Sequence, residues 1–245
     1  MVLPFLVGTD PLSQNESERL EGPSLDHLFG TDGFGRDVFV RVINGGRSSL
    51  LVAISAIFIA SLIGVPIGGI SAVNRKADRL IGRIVDLFIG VPFLILLLII
   101  IVAFGAHIAS LTVGLSIALL PRVVRFARGS MLAHSNQPYV EAAIVSGATG
   151  IAVFRRHLLR NAMPSILAYL SGLFGTALLA ETSLSFLGLG IPAPYPSLGG
   201  MLKDGARLYL ETAPWMTIFP GITIALMVLA ANLLGGDFVK SNIKR

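Results

Sequence analysis

Residues 48–73 read SSLLVAISAIFIASLIGVPIGGISAV, an uncharged run. A helix needs about 20 predominantly apolar residues to cross the hydrocarbon core of a bilayer, so this run predicts a membrane span. Ala56, Ala60, Gly64, Gly68 and Ala72 fall four residues apart within it. In a helix they form one ridge of small side chains, which lets neighbouring helices approach closely where lipid supplies no hydrophobic drive for pairing. Pro66 predicts a bend.

Outward from this run, four more segments have the same character: about 84–105, 108–127, 162–189 and 215–236. Leu94 to Val102 is almost wholly Leu and Ile, and Ala168, Gly172, Thr176 and Ala180 suggest a second small ridge. The fold expected is all-α and polytopic, with five visible spans. Residues 1–47 read as an extracytoplasmic segment ahead of a transmembrane domain over 48–245. Within that segment, FGRDVFVRVINGGR (34–47) predicts a short amphipathic helix lying in the interface. Met1 to Gly8 lacks the basic start of a signal peptide and reads as the last turns of a span whose beginning is absent. Residues 74–83 read as a basic loop, 129–161 as a loop outside the membrane and 191–214 as a Pro-rich, polar connection. Trp215 stands where an aromatic belt is expected.

Composition agrees. Hydrophobic residues make up 53% of the chain and charged ones 13%, against about 25% charged in a soluble domain. There is no cysteine, so disulfides, thiolate metal sites and a cysteine nucleophile are excluded. The net charge of +5 follows the spans and gives no reason to expect nucleic acid. Of the 19 Lys and Arg residues, 13 fall in 74–83, 121–161 and 237–245, while 9 of the 14 acids fall on the other side. The excess of Lys and Arg marks the cytoplasmic side, which puts the 129–161 loop and the C-terminus there.

The loop contains YVEAAIVSGATGIAVFRRHLLRNAMP, Tyr139 to Pro164. Pro138 suits the first turn of a helix, and Glu141 in that turn suits the helix dipole. Gly147 can end the helix and Thr149 can cap a second one. Ala142, Ala143 and Gly147 would then give a smooth face for a partner.

This segment resembles the Glu-Ala-Ala loop of ATP-binding-cassette importer permeases. The resemblance extends to Gly30-Thr31-Asp32-Gly33-Phe34-Gly35-Arg36-Asp37, to Gly45-Gly46-Arg47-Ser48-Ser49-Leu50, to Glu181-Thr182-Ser183-Leu184-Ser185-Phe186-Leu187-Gly188-Leu189-Gly190, and to Asn232-Leu233-Leu234-Gly235-Gly236-Asp237. Together these are similar to the second permease subunit of the dipeptide, oligopeptide and nickel subfamily. Such permeases usually have six spans, and Arg160 stands where the family usually has Pro.

The resemblance implies that Glu141, Ala142, Ala143, Gly147, Thr149, Arg155 and Arg156 belong to a coupling loop that docks on an ATPase subunit. It implies a homologous permease as partner, two ATPase subunits that use ATP and Mg, an extracytoplasmic solute-binding protein, and a bacterial or archaeal plasma membrane. The solute would be a small peptide, a metal chelate or a similar molecule. No cofactor is expected on this chain. The chain has no GxxxxGK[ST] and no HExxH, and its four histidines form no cluster, so neither ATP hydrolysis nor metal chemistry is expected of it. Glu181 is an acid inside a span, which marks a pathway residue or a buried structural partner. Two other classes compete: a stand-alone secondary transporter, which predicts several buried charges and internal repeats, and a membrane scaffold that brings no ATPase with it.

Overall fold

A computed structural model of the chain describes residues 10–243, with side chains described through Leu233. The apolar stub at 1–8, the side chains of the basic tail from Lys240 and those of Leu234 to Asp237 lie outside the described residues. The described residues form helices, one 3₁₀ turn at Glu16–Glu18 and a single antiparallel bridge between Thr31 and Asp37. The helices are α1 (Val38–Val73), α2 (Arg75–Gly90), α3 (Phe93–Phe104), α4 (Ile108–Ser135), α5 (Pro138–Val145), α6 (Gly150–Val153), α7 (Leu159–Leu187), α8 (Leu198–Leu208) and α9 (Trp215–Ile243). A π-helical stretch, Phe154–Leu158, carries α6 into α7 without a break.

Among the described residues, four continuous helical segments are long and apolar enough to cross a membrane, and the bent pair α2–α3 makes a fifth if it counts as one span. Their outward residues, such as Phe58, Leu62, Val102 and Leu226, are exposed. Apolar side chains on the outside are what lipid requires of a spanning helix.

The boundaries differ from the sequence reading in four places. First, no separate interfacial helix occupies 34–47. Residues 34–37 turn, and α1 then runs from Val38 straight through residue 48. Its 36 residues at 1.5 Å per residue give about 54 Å, well beyond the ~30 Å hydrocarbon core, so one long helix has a polar first part and an apolar remainder. Second, 74–83 is not a loop. Asn74 caps α2 by accepting from the backbone N–H groups of Lys76 (2.9 Å) and Ala77 (3.2 Å), and the charges occupy one side of an amphipathic helix.

Third, 84–105 is not one straight span. It breaks between Gly90 and Phe93 with a bend of 88°, because Pro92 lacks an N–H and pushes Val91 out of the helical region; Val91 is extended, at φ −87° and ψ 128°. Fourth, α4 continues past 127 to Ser135, and the polar connection after 191 contains α8, capped by Ser197, whose hydroxyl accepts from Gly200 N–H at 3.1 Å. Trp215 opens α9, where the sequence reading starts a span; it is half-buried and donates to the Thr31 carbonyl at 3.1 Å, so it braces the N-terminal segment.

The chain forms two compact units. One comprises 1–55, 98–112 and 175–230, the other 56–97, 113–174 and 231–245. In the first, Val38, Val42, Leu198, Ala213, Met216 and Ile224 are buried together, and Phe29 stacks on Phe219 with ring centroids 3.9 Å apart. In the second, the ridge of α1 is buried at Ala56, Ala60, Gly64 and Gly68, and Gly64 and Gly68 face Val123, Val124 and Ala127 of α4. The second ridge lies on α7 but is covered unevenly: Ala180 is buried, Ala168 and Thr176 are half-buried, and Gly172 is exposed with nothing within 4 Å, while Ala162, Ile166 and Leu173 are buried as well.

Candidate coupling surface and intramembrane acid

The segment 138–158 is built from short-range signals. Pro138 stands at the first position of α5 and Glu141 in its first turn. The helix ends because Gly147 adopts φ +83°, a conformation that L side chains rarely take and glycine takes freely. The Gly147 N–H bonds to the Ile144 carbonyl (2.9 Å) and the Ala148 N–H to the Ala143 carbonyl (3.0 Å), closing the helix in the manner of a left-handed cap. Thr149 Oγ1 then accepts from Ala152 N–H at 3.3 Å and starts α6.

The base of this segment is anchored. Val140, Val153 and Leu158 are buried. Phe154 lies so close to Gly69 of α1 that a β-carbon there would not fit. The Tyr139 hydroxyl hydrogen-bonds His134 Nδ1 at 3.1 Å, and its ring lies 6.0 Å from that of His157. The tip is free of cover. Glu141, Ala142, Gly147, Thr149, Arg155 and Arg156 are exposed and Ala143 is half-buried.

Between them stand large apolar side chains that the sequence reading did not single out: Ile144, Val145 at 88% exposure and Ile151 at 75%. Their signal was present, since three branched apolar residues flank a Gly-containing bend next to Arg155 and Arg156. The π-helical stretch places Arg155, Arg156 and His157 in its single widened turn, a feature frequent at functional sites.

Glu181 is completely buried within the first unit. Its carboxyl accepts from Ser185 Oγ at 2.8 Å, one turn on, and Thr182 Oγ1 lies at 3.5 Å. The surroundings are tight: a β-carbon on Gly199 would meet Ser185 Cβ at 2.7 Å and the Phe186 nitrogen at 2.9 Å. The carboxyl is thus enclosed by hydroxyl groups of its own helix and has no accessible surface within this chain.

Among the described residues no group of three or more His, Asp or Glu could hold a metal ion. The second unit has one strong ionic cluster. Arg128 of α4 grips Asp78 of α2 through Nε and Nη2, the latter at 2.7 Å, and Ser71 Oγ at the end of α1 donates to the same carboxylate at 2.5 Å. Arg125, three residues before Arg128 on α4, pairs with Asp86, eight residues after Asp78 on α2.

The chain is thus a polytopic helical protein with an anchored, apolar-tipped segment between two of its candidate spans. Residues 64–241 match the family described as the binding-protein-dependent transport system inner membrane component, and the chain belongs to it. It is thus a multi-pass inner-membrane permease component of an ATP-binding-cassette transport system. The chain is 37% identical over 235 residues to a Brucella suis biovar 1 protein provisionally named as a peptide transport system permease, covering 96% of this chain and 79% of that one. It is 37% identical over 233 residues to the dipeptide transport system permease protein DppC of Bacillus subtilis (95% and 73% covered). A chain of the MetNI methionine transporter, solved in inward-facing conformations, has the same fold, with a TM-score of 0.69 at 20% identity over 82% of this chain and 95% of that one.

Proposed function

We propose that this permease carries small peptides or similar solutes and is driven through the 138–158 segment by a partner ATPase subunit. The observation that carries the coupling role is the exposed apolar tip: Ile144, Val145 and Ile151 stand outside the candidate spans or at the edge of one, beside exposed Arg155 and Arg156. Branched apolar side chains on a rigid base, in a segment that also bears charge, are suited to a protein groove. The names of the relatives support peptides as the solute class.

In this reading a second, homologous permease completes the pathway, two ATPase subunits hydrolyse ATP with Mg, and an external binding protein delivers the solute. This chain performs no ATP chemistry itself. Residues 1–47 face the outside and the C-terminus the cytoplasm of a bacterial or archaeal cell, as the distribution of Lys and Arg favours. Glu141, Ala142, Ala143, Gly147, Thr149, Arg155 and Arg156 shape the coupling surface. Glu181 serves structure, not solute passage.

The test is co-purification and ATPase assay of the transporter expressed with its neighbouring genes. Val145→Asp and Ile151→Asp should each strip the ATPase subunits from an intact, membrane-inserted permease. Glu141→Ala should leave the complex assembled and separate ATP hydrolysis from transport. Unchanged co-purification with both aspartate variants would refute the docking role.

A further inference from the structure

α2 carries four Lys or Arg residues and two acids. Both acids are committed to α4: Asp78 pairs with Arg128 and Asp86 with Arg125. Arg75, Lys76, Arg79 and Arg83 are exposed, and among the described residues none of them has an acidic partner. With 3.6 residues per turn, these four cations fall within about 100° of the helix circumference. Leu80, Ile84, Leu87 and Phe88 fall within the next ~100° and are exposed as well, Leu87 at 75%. Beyond them, Ile81 and Val85 turn toward the body of the second unit. A cavity of about 190 Å³ lies there between α2, α1 and α4. Its lining is wholly apolar, with Ile67, Ile81, Ile84, Leu120 and Val124 among the walls. Around its surface the helix therefore presents, in order, cations, exposed hydrocarbon and an apolar cavity.

The ion pairs fix how α2 lies. Asp78 and Asp86 are eight residues apart, about 12 Å along α2, whereas Arg128 and Arg125 are three residues apart, about 4.5 Å along α4. Helices running side by side would keep the two spacings equal, so α2 crosses α4 steeply. It also meets α3 at 88°. α4 is a candidate span, and α3 is apolar throughout, so a helix steep to both lies near the plane of the bilayer. The 16 residues of α2 measure about 24 Å, too short for the ~30 Å hydrocarbon core, and its four cations would be costly inside that core. A helix with one side rich in Lys and Arg and another rich in Leu and Ile has the form that rests at a membrane interface.

We propose that α2 is a binding site for anionic phospholipid. The phosphate meets Lys76, Arg79 and Arg83, and an acyl chain runs over Leu87, Leu80 and Ile84 into the cavity beneath the helix. The cationic and apolar arcs adjoin where Lys76 and Arg83 neighbour Leu80 and Leu87, so one molecule with an anionic head and an apolar tail spans both. A free phosphate would use only the cations, and a neutral lipid only the hydrocarbon and the cavity. Guanidinium offers phosphate a planar array of donors, and clusters of Lys and Arg on an amphipathic helix draw anionic lipid.

The experiment uses the full chain, coexpressed with its partner subunits and purified with them after replacement of any partner cysteines. The chain itself has none, so Leu87→Cys labelled with bimane reports on α2 alone. The labelled complex is placed in phosphatidylcholine vesicles that hold a small, equal fraction of brominated phosphatidylglycerol or brominated phosphatidylcholine. The brominated anionic lipid should quench at least about twofold more than the neutral one. That excess should fade in 1 M salt, where the Debye length is ~3 Å. Changing Arg75, Lys76, Arg79 and Arg83 together to Gln should remove the excess, while Arg79→Lys with Arg83→Lys should keep it. Fully brominated phosphatidylcholine should quench all these proteins alike, because the apolar side of α2 stays in the membrane. Equal quenching by the two lipids, an excess that survives the glutamine changes, or no quenching by either lipid overturns the proposal. If the glutamine variant fails to insert, the parent chain decides: an excess that salt leaves unchanged overturns it.

Discussion

Gly64 and Gly68 stand on one ridge of α1, four residues apart, but they meet different neighbours. A β-carbon at Gly64 would lie 2.8 Å from Val123 Cγ1, the end of a side chain. At Gly68 it would lie 2.8 Å from the Val124 carbonyl oxygen and 2.9 Å from the Arg128 nitrogen, both backbone. Side chains can rotate away and helix backbones cannot. Gly68→Ala should therefore destabilise the protein by about 1–3 kcal/mol and Gly64→Ala by less. Gly82→Ala, with nothing within 4 Å, should stabilise by roughly 0.5–1 kcal/mol through helix propensity. Unfolding midpoints in mild detergent would rank the three, and equal losses at Gly64 and Gly68 would contradict the contact argument. A second residue-level prediction concerns His27, whose Nδ1 lies 2.8 Å from Asp37 Oδ2 and whose Nε2 lies 3.3 Å from Glu18 Oε2. The hydrogen bond to Asp37, helped by its charge and by Glu18, raises the imidazole above its usual value against the opposing effect of burial. A raised folded value means the stabilisation is fully present below about pH 6.5 and is lost as pH rises through the folded value. The protection of amides across residues 10–37, measured relative to their intrinsic exchange rate at each pH, should fall on that rise, and His27→Gln should flatten the change in protection.

At the scale of elements, the strongest fixed point in the second unit is the carboxylate of Asp78. It ties the first turn of α2 to the last turn of α1 through Ser71 and to α4 through Arg128. The pair is partly exposed, at 27% and 38% for the two side chains, so its coupling energy should be about 1 kcal/mol, near the upper end for solvated ion pairs. A double-mutant cycle on Asp78→Asn and Arg128→Gln would measure it. Arg128→Lys should not restore the coupling, because an ammonium cannot offer two parallel donors; full rescue by lysine would show that charge alone matters. Nothing in the sequence revealed this pair, since its members are fifty positions apart and each reads as a routine interfacial cation or acid. Local signals were legible. Pro138 and Gly147 act through their own backbone and Thr149 through its side-chain oxygen, and they fix both ends of α5 and the start of α6. The four-residue recurrence of small residues on α1 likewise matched helix geometry. The misreadings have a common physical cause. Arg41 and Arg47 made the start of α1 look like a separate interfacial helix, whereas a helix longer than the bilayer is wide can carry charges at one end. The glycines at 199, 200 and 205 hid α8, although Gly199 is there to let the helix pack on the Thr182 carbonyl and Ser185. The exposed Ile144, Val145 and Ile151 were overlooked because apolar residues in a membrane protein raise no alarm until their lack of cover is seen.

At the scale of the molecule, the 88° bend between α2 and α3 sets how many times the chain crosses the bilayer before the 138–158 segment. If α2 and α3 together cross once, then α1, the pair and α4 make three crossings, and residue 13 lies opposite residue 136. If the pair turns back, there are two crossings, and both residues face the same side. The Lys and Arg distribution favours three, because Arg75, Lys76, Arg79 and Arg83 then share a side with Arg155, Arg156 and Arg160. The chain contains no cysteine, so single cysteines report position without background. Ser13, Asn136 and Glu211 are exposed and suit replacement. With three crossings, a membrane-impermeant maleimide should label Ser13→Cys and Glu211→Cys in intact cells, with the outer membrane opened where one is present. Asn136→Cys should react only once the inner membrane is permeabilised. Labelling of Asn136→Cys together with Ser13→Cys in intact cells would mean that α2–α3 is re-entrant. It would also put the proposed coupling surface on the side away from ATP, and the coupling role would then fail with the topology.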